Sequence, residues 1–123
     1  MVSQLDIFSS LAELVGSEIR TKDSKPLLGL LMGKSDEGRN EMVIEATSRT
    51  AFKKGDWVII HPYEGPAPNL MVQIEFGNDS DFQLYNIAKD IGQQNNLADT
   101  QPDKLQEMLA AFVVIIGLSL IHI

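Results

Sequence analysis

The side chains of this chain that could do chemistry are a few cations and one histidine around a predicted hairpin. Arg49 precedes a short β-favouring run, Lys53 and Lys54 lie in the loop after it, and His61 stands directly before Pro62. Guanidinium and ammonium groups can bind an oxyanion, and arginine can do so through two hydrogen bonds at once. We therefore predict Arg49, Lys53 and His61 as substrate-cleft residues. Solvated hairpin charges and an exposed strand-end histidine are the alternative interpretation.

The residue types on which most catalytic and metal sites depend are scarce. The chain has no cysteine, which excludes disulfides, thiol nucleophiles and cysteine-bound zinc. Asp79 and Asp81 have the spacing seen in calcium loops, but the rest of an EF-hand pattern does not follow, so a plain turn is favoured. The sequence thus predicts no catalytic residue and no metal ligand in this chain.

Composition and charge narrow the class of protein. Apolar residues make up 44% and charged residues 22% of the 123 residues, which is ordinary for one globular domain. The net charge of −7 disfavours nucleic-acid binding, because it repels a phosphate backbone. The start of the chain lacks the basic region of a signal peptide, and the uncharged stretch 108–123 is shorter than the about 20 residues of a membrane-spanning helix. We expect neither nucleic acid nor a membrane as a partner.

The elements that must position these side chains begin with two helical segments. Ser3 and Asp6 fit a capping box, and apolar residues then recur at helical spacing over residues 5–15, before a stop at Gly16. A second, short helix is predicted for 27–32 and ends at Gly33. The first helix is therefore amphipathic, with a strongly apolar face.

Strand signals dominate the middle of the chain. Short strands are predicted at 42–45, 49–52, 57–60 and 82–85, with a four-residue hairpin loop at 53–56, and a half-buried strand is predicted over 70–76. A closing helix begins at Pro102. Consecutive strands joined by short links are antiparallel. The predicted fold class is α+β, a small antiparallel sheet of about four strands with the C-terminal helix packed on one face.

The last six residues have a second interpretation. Leu118–Ile123 is the translation of CTG TCT CTT ATA CAC ATC, which resembles the end of a transposon-based sequencing adapter. We interpret 118–123 as an adapter-derived artefact and exclude it from site prediction. A genuine apolar C-terminal strand is the alternative.

Four stretches, in order along the chain, resemble the C-terminal part of type I sulfatases, the formylglycine-dependent arylsulfatase family. The matching stretches are 2–16, the Leu-rich step 27–33, the hairpin 49–57 around Gly-Asp-Trp, and 83–98 with Leu-Tyr-Asn-Ile followed by Asn-Leu-Ala. The resemblance implies that residues 1–33, which include the N-terminal helix, are the last part of a large alkaline-phosphatase-like α/β domain. The rest of that domain is missing from this chain. The same resemblance implies that 41–112 form the C-terminal subdomain.

The resemblance also implies a parent activity that this chain lacks. Members of the family hydrolyse sulfuric esters with a formylglycine, made in a Cys/Ser-x-Pro-x-Arg motif, and with Ca²⁺. The nearest match, Ser24 to Leu28, has leucine in place of the arginine. We therefore expect no cofactor in this chain and an inactive fragment that shapes the substrate cleft.

The partners and location are also implied by the resemblance. The partners would be the missing N-terminal sulfatase domain and, through it, a sulfated small molecule or glycan. The implied location of the parent is periplasmic or secreted. An independent acidic α+β binding or assembly module without catalytic activity stays open as the alternative.

Overall fold

The computed structural model describes residues 1–19, 21–46, 49–66 and 68–120, with side chains as far as residue 117. The proposed adapter-derived segment 118–123 thus lies outside the residues whose side chains are described. The chain forms two compact units, Met1–Asn40 and Glu41–Ile123. Within the described residues, no helix is both long enough and apolar enough to cross a bilayer.

The first unit contains α1 (Asp6–Leu14) and the four-residue α2 (Leu28–Leu31). α1 buries its polar side rather than its apolar side. Its Ser9 and Ser10 are fully buried, whereas Leu5, Phe8 and Leu11 are exposed. The Ser9 amide donates to Ser24 Oγ at 3.0 Å, and the Leu27 amide donates to Ser10 Oγ at 2.9 Å. These serine hydroxyls supply the acceptors that tie the 24–27 segment to the helix.

A buried ion pair completes the first unit. The fully buried Asp6 carboxylate accepts Arg39 Nε at 2.7 Å and Nη2 at 2.5 Å, and it also accepts the Lys25 amide at 2.9 Å. Hydrogen bonding to Arg39 outweighs burial and lowers the pKa of Asp6 from 3.8 to about 2. The predicted capping box is half formed: Asp6 accepts the Ser3 amide at 2.8 Å, but the Ser3 hydroxyl accepts from Leu5.

The second unit is a four-stranded antiparallel sheet with one long helix, so the predicted α+β class is confirmed. The strands are β1 (Glu41–Ala46), β2 (Arg49–Lys54), β3 (Trp57–Ile60), β4 (Pro68–Asn69), β5 (Ile74–Glu75) and β6 (Gln83–Asn86), followed by α3 (Pro102–Leu120). The main sheet has the order β1-β2-β3-β6, and β4 pairs separately with β5.

The core lies between one face of this sheet and α3. Because side chains alternate between the faces of a strand, Phe52, Ile59 and Leu84 point to the same side, where they pack with Met108 of the helix. The β2–β3 hairpin closes with Lys54 opposite Trp57, so its loop has two residues rather than the predicted four. Gly55 adopts a φ of +55° in that loop, which other residues adopt only with strain.

The predicted strand over 70–76 is wrong. β3 pairs directly with β6, so the residues between them form an excursion from the main sheet, in which β4 and β5 pair only with each other. Leu70 and Met71 are 83% and 95% exposed at the tip of this small hairpin, and of the predicted strand only Ile74–Glu75 is a β-strand. Gln73 has a φ of +52°, which turns the chain back. The alternation of apolar residues there does not reflect a buried face.

Candidate functional site

The second unit contains a pocket of about 340 Å³ at the end of the sheet where β2 begins and β3 ends. Its wall is formed by Arg49 of β2, the segment from Ile60 to Tyr63, the returning arm 75–79 of the excursion, β6 and the turn 92–94. The pairing of β3 with β6 brings these segments together. Because the two strands are antiparallel neighbours in the sheet, the excursion between them must begin and end at the same end of the sheet. The volume is at the low end of the range for small-molecule sites.

Arg49 is held rigidly in this pocket. Its guanidinium carbon lies 4.5 Å from the ring centroid of Tyr63 and 4.9 Å from that of Phe76. Its Nε donates to Asn78 Oδ1 at 2.7 Å, and the Asn78 amide donates in turn to the Pro66 carbonyl at 2.7 Å. Stacking and this hydrogen bond fix the plane of the guanidinium. Its two Nη groups make no hydrogen bond to any described residue, so they keep donors to offer.

The floor of the pocket is a buried polar pair on β6. The Tyr85 hydroxyl donates to Gln83 Oε1 at 2.6 Å, and Gln83 Nε2 donates to the Gly77 carbonyl at 2.8 Å. Burial, together with the carboxylates of Asp79 and Asp90, raises the pKa of Tyr85 above its usual 10.0. Tyr85 therefore stays neutral and acts as a fixed donor within the protein.

The turn that forms the remaining wall is organised by Asp90. Its carboxylate accepts the backbone amides of Gln94 at 3.1 Å and Asn95 at 2.8 Å, and these bonds lower the pKa of Asp90. Asn96 Oδ1 accepts the Leu84 amide at 3.0 Å, which fastens the end of the turn to β6. Gln93 has a φ of +51°, a left-handed conformation that is uncommon without glycine. Such backbone outliers cluster at functional sites.

The three residues predicted from sequence do not come together. Arg49 and His61 both line the pocket, whereas Lys53 lies outside its wall and donates to the Gly55 carbonyl. The His61 ring is half-buried, with its centroid 4.4 Å from that of Phe112. Its Nε2 is buried without a hydrogen-bond partner among the described residues, and burial lowers the pKa of His61. His61 is therefore neutral at neutral pH and offers no positive charge to an anion.

Sequence reasoning missed seven polar side chains of the pocket wall. These are Glu75, Asn78, Asp79, Gln83, Tyr85, Gln93 and Gln94. The sequence favours a plain turn at Asp79, and its Oδ1 does accept the Asp81 amide at 3.0 Å. No local spacing marks the set, because its members are contributed by separate segments. The described residues contain no group of three or more metal-ligating side chains.

Comparison with known proteins places these features in context. No family model matches the chain. It is 36% identical over 112 residues to the N-acetylgalactosamine-6-O-sulfatase of Bacteroides thetaiotaomicron, a match that covers 88% of this chain and 22% of that protein. The chain thus spans about a fifth of the length of this curated relative.

Solved structures give the same result. A sulfatase structure from work on glycosaminoglycan metabolism by Bacteroides thetaiotaomicron has a TM-score of 0.79 and 32% identity, over 89% of this chain and 24% of the other. A crystal structure titled Ps i-CgsB has a TM-score of 0.61 over 90% of this chain and 23% of the other, and at 16% identity it shares the fold. The resemblance to sulfatases seen in the sequence is confirmed.

Proposed function

We propose that this chain, which matches sulfatases over most of its length, is the C-terminal subdomain of a sulfuric ester hydrolase and shapes its substrate cleft. The observation that carries the proposal is that two of the stretches resembling sulfatases converge on one pocket. Arg49 comes from the hairpin stretch, and Gln83, Gln93 and Gln94 come from the 83–98 stretch. A pocket built from both is a suitable place for substrate contact.

The chemistry would reside in the part of the relatives that this chain does not span. The chain has no cysteine, and its Ser24-Lys25-Pro26 run lacks the arginine of the formylglycine motif. Calcium and formylglycine would be supplied by the N-terminal domain. The exposed apolar residues of α1, among them Ile7, Phe8 and Leu11, support such a partner, because apolar patches of this kind usually mark an interface.

The substrate class follows from the relative. That protein is named for N-acetylgalactosamine 6-O-sulfate, so we propose a sulfated glycan as the substrate of the whole enzyme. Arg49 would contact the glycan directly, since its guanidinium is fixed and its Nη groups point to no described partner. His61 would line the cleft as a neutral ring, and Lys53 would contribute least.

A chimera tests the proposal. The matching part of the Bacteroides enzyme is replaced by this chain. Sulfate release from a glycan oligosaccharide, in which N-acetylgalactosamine 6-sulfate is joined to an unsulfated sugar, is measured beside the isolated chain. We expect the chimera to be active and the isolated chain to release nothing. Arg49→Lys should raise the KM of the chimera, whereas Lys53→Arg, the matched exchange on the same strand, should leave it unchanged.

Two results would contradict the proposal. Sulfate release by the isolated chain would mean that it carries its own catalytic groups. A folded but inactive chimera would instead favour an independent binding module.

A further inference from the structure

We propose that the Arg49 pocket binds an uncharged, hydroxyl-bearing sugar ring and disfavours a sulfated one. The inference rests on the proposed function and makes it more specific: the pocket would recognise an unsulfated unit of the glycan, while the sulfated unit lies at the catalytic centre of the other domain. The open hydrogen-bonding groups of the pocket and their charges both favour such a ligand.

Part of the polar wall is already engaged within the protein. Both ends of the Asn78 amide are used, one by Arg49 and one by the Pro66 carbonyl, and both ends of the Gln83 amide are used by Tyr85 and Gly77. These side chains hold the pocket in shape. They have little capacity left for a ligand.

Several acceptors of the pocket wall remain open. Glu75 uses one carboxylate oxygen for the Gly77 amide, and Asp79 uses one for the Asp81 amide, so each keeps a second oxygen. Gln94 donates to the Gly92 carbonyl, and its Oε1 makes no bond to a described residue.

The open donors are the Nη groups of Arg49 and the Gln93 amide, which make no side-chain hydrogen bond to the described residues. A sugar hydroxyl can both donate and accept, whereas a sulfate group can only accept. A wall that offers both open donors and open acceptors therefore suits hydroxyls, whereas a sulfate group would leave the acceptors without a donor.

The charges lead to the same ligand. The pocket wall carries the cation Arg49 and the carboxylates Glu75 and Asp79, and none of these pairs with another within salt-bridge distance in the described residues. One positive and two negative groups leave a net charge of −1, with His61 neutral. An anionic sulfate would be repelled, and the fixed guanidinium disfavours a cation. A neutral polyhydroxyl ligand is repelled neither by the two carboxylates nor by the guanidinium.

The pocket is also organised before any ligand binds. The guanidinium carbon lies over the rings of both Tyr63 and Phe76, and the 92–94 wall is fixed by the Asp90 hydrogen bonds. The left-handed conformation of Gln93 lies in this same wall. A wall that is already ordered loses less entropy on binding, which is what a site with few contacts requires.

The test compares two sugars on the full 123-residue chain. N-acetylgalactosamine and N-acetylgalactosamine 6-sulfate are titrated into the millimolar range, and the amide signals of Gln93 and Gln94 are followed by NMR. We expect the neutral sugar to shift these signals and to bind more tightly than its sulfated form. Glu75→Gln combined with Asp79→Asn changes the pocket charge from −1 to +1 and should reduce this preference by about tenfold.

A control and two opposing results make the test decisive. Asp36→Asn combined with Asp99→Asn changes the total charge equally at two exposed positions outside the pocket and should leave the preference unchanged. Tighter binding of the sulfated sugar by the unmodified chain would overturn the inference while leaving the proposed function in place. Absence of binding, or shifts confined to other residues, would remove the sugar site whatever the chimera does. An inactive chimera beside a chain that binds the neutral sugar would reject the proposed function alone.

Discussion

The buried ion pair between Asp6 and Arg39 provides the sharpest test of how the first unit is held together. Asp6 is fully buried, and Arg39 retains 12% side-chain exposure. Their contact joins the start of α1 to a residue 33 positions later. Replacing Asp6 with asparagine keeps the size of the side chain but leaves the guanidinium without its counter-charge.

Two quantities give the free energy of unfolding that Asp6→Asn should remove. Removing one partner of a buried pair costs about 3 kcal/mol, taken at the low end because Arg39 keeps some solvent contact. Separately, lowering the pKa of Asp6 from 3.8 to about 2 corresponds to about 2 kcal/mol. Because the pKa is lower in the folded protein, this stability is present above the unfolded value of 3.8 and is lost as the pH falls to about 2.

Residue-resolved hydrogen exchange is the suitable assay. The single tryptophan, Trp57, lies in the second unit, so fluorescence would not report on α1. The amides of Ser9 and Leu27, which donate to serine hydroxyls, report opening of the first unit directly. Asp6→Asn should weaken their protection, and the difference from the parent chain should shrink as the pH approaches 2.

Glu13→Gln is the matched control, because it removes an exposed carboxylate from the same helix. If Asp6→Asn weakens protection no more than this control does, the ion pair does not stabilise the unit and the reasoning is wrong.

Three further predictions concern the second unit. Arg49→Lys removes the flat guanidinium that lies over the rings of Tyr63 and Phe76, so limited proteolysis within 61–82 should accelerate by about tenfold. An unchanged rate would show that these ring contacts do not hold the excursion. Burial lowers the pKa of His61, so the stability that the neutral ring contributes is complete above the usual pKa of 6.5 and is lost as the pH falls below that value. The urea midpoint of unfolding should therefore drop on acidification, and His61→Gln should reduce that drop. An equal drop in the variant would mean that other groups cause it. Met108→Ala should lower the free energy of unfolding in urea by about 3 kcal/mol, because Met108 is 1% exposed in the core. The control Met71→Ala, at 95% exposure, should change it by less than about 0.5 kcal/mol. Equal costs would mean that Met108 is not part of the core.

The sequence predicted those elements whose signals are local. The hairpin around Gly55, the strand ending at Asn86 and the helix from Pro102 each have a turn residue or a periodic pattern within a few positions, and each is present. The strand at 70–76 failed because alternation alone does not tell whether a neighbouring strand has a free edge. Here β6 takes the place beside β3, so the alternating residues that lie between them in sequence are left in an excursion from the main sheet.

The polarity of α1 and the pocket were beyond sequence reasoning for a related cause. The apolar face predicted for residues 5–15 is present and exposed. The burial of Asp6, Ser9 and Ser10 on the other side of the helix was not predicted, because their partners are contributed by residues 24–39. Likewise, Arg49 was identified by its type, but its pocket depends on segments more than 25 residues away, 75–79 and 92–94. Contacts across such separations leave no mark in a single sequence.

If this pocket binds the glycan while the other domain hydrolyses the sulfate ester, the kinetic constants should reflect it. A pocket that holds an unsulfated unit of the glycan touches no reacting atom, so its contacts are the same in the ground state and in the transition state. Such uniform binding lowers KM without raising kcat. Fixing Arg49 and Gln93 in advance increases the binding energy that remains, since less of it is spent on ordering the wall. The pocket would then select which glycan is held, while the rate of sulfate release would be set by the other domain. Changes to the pocket in the active chimera should therefore appear in KM and in the choice of glycan, and a loss confined to kcat would mean that this pocket acts on the chemistry after all.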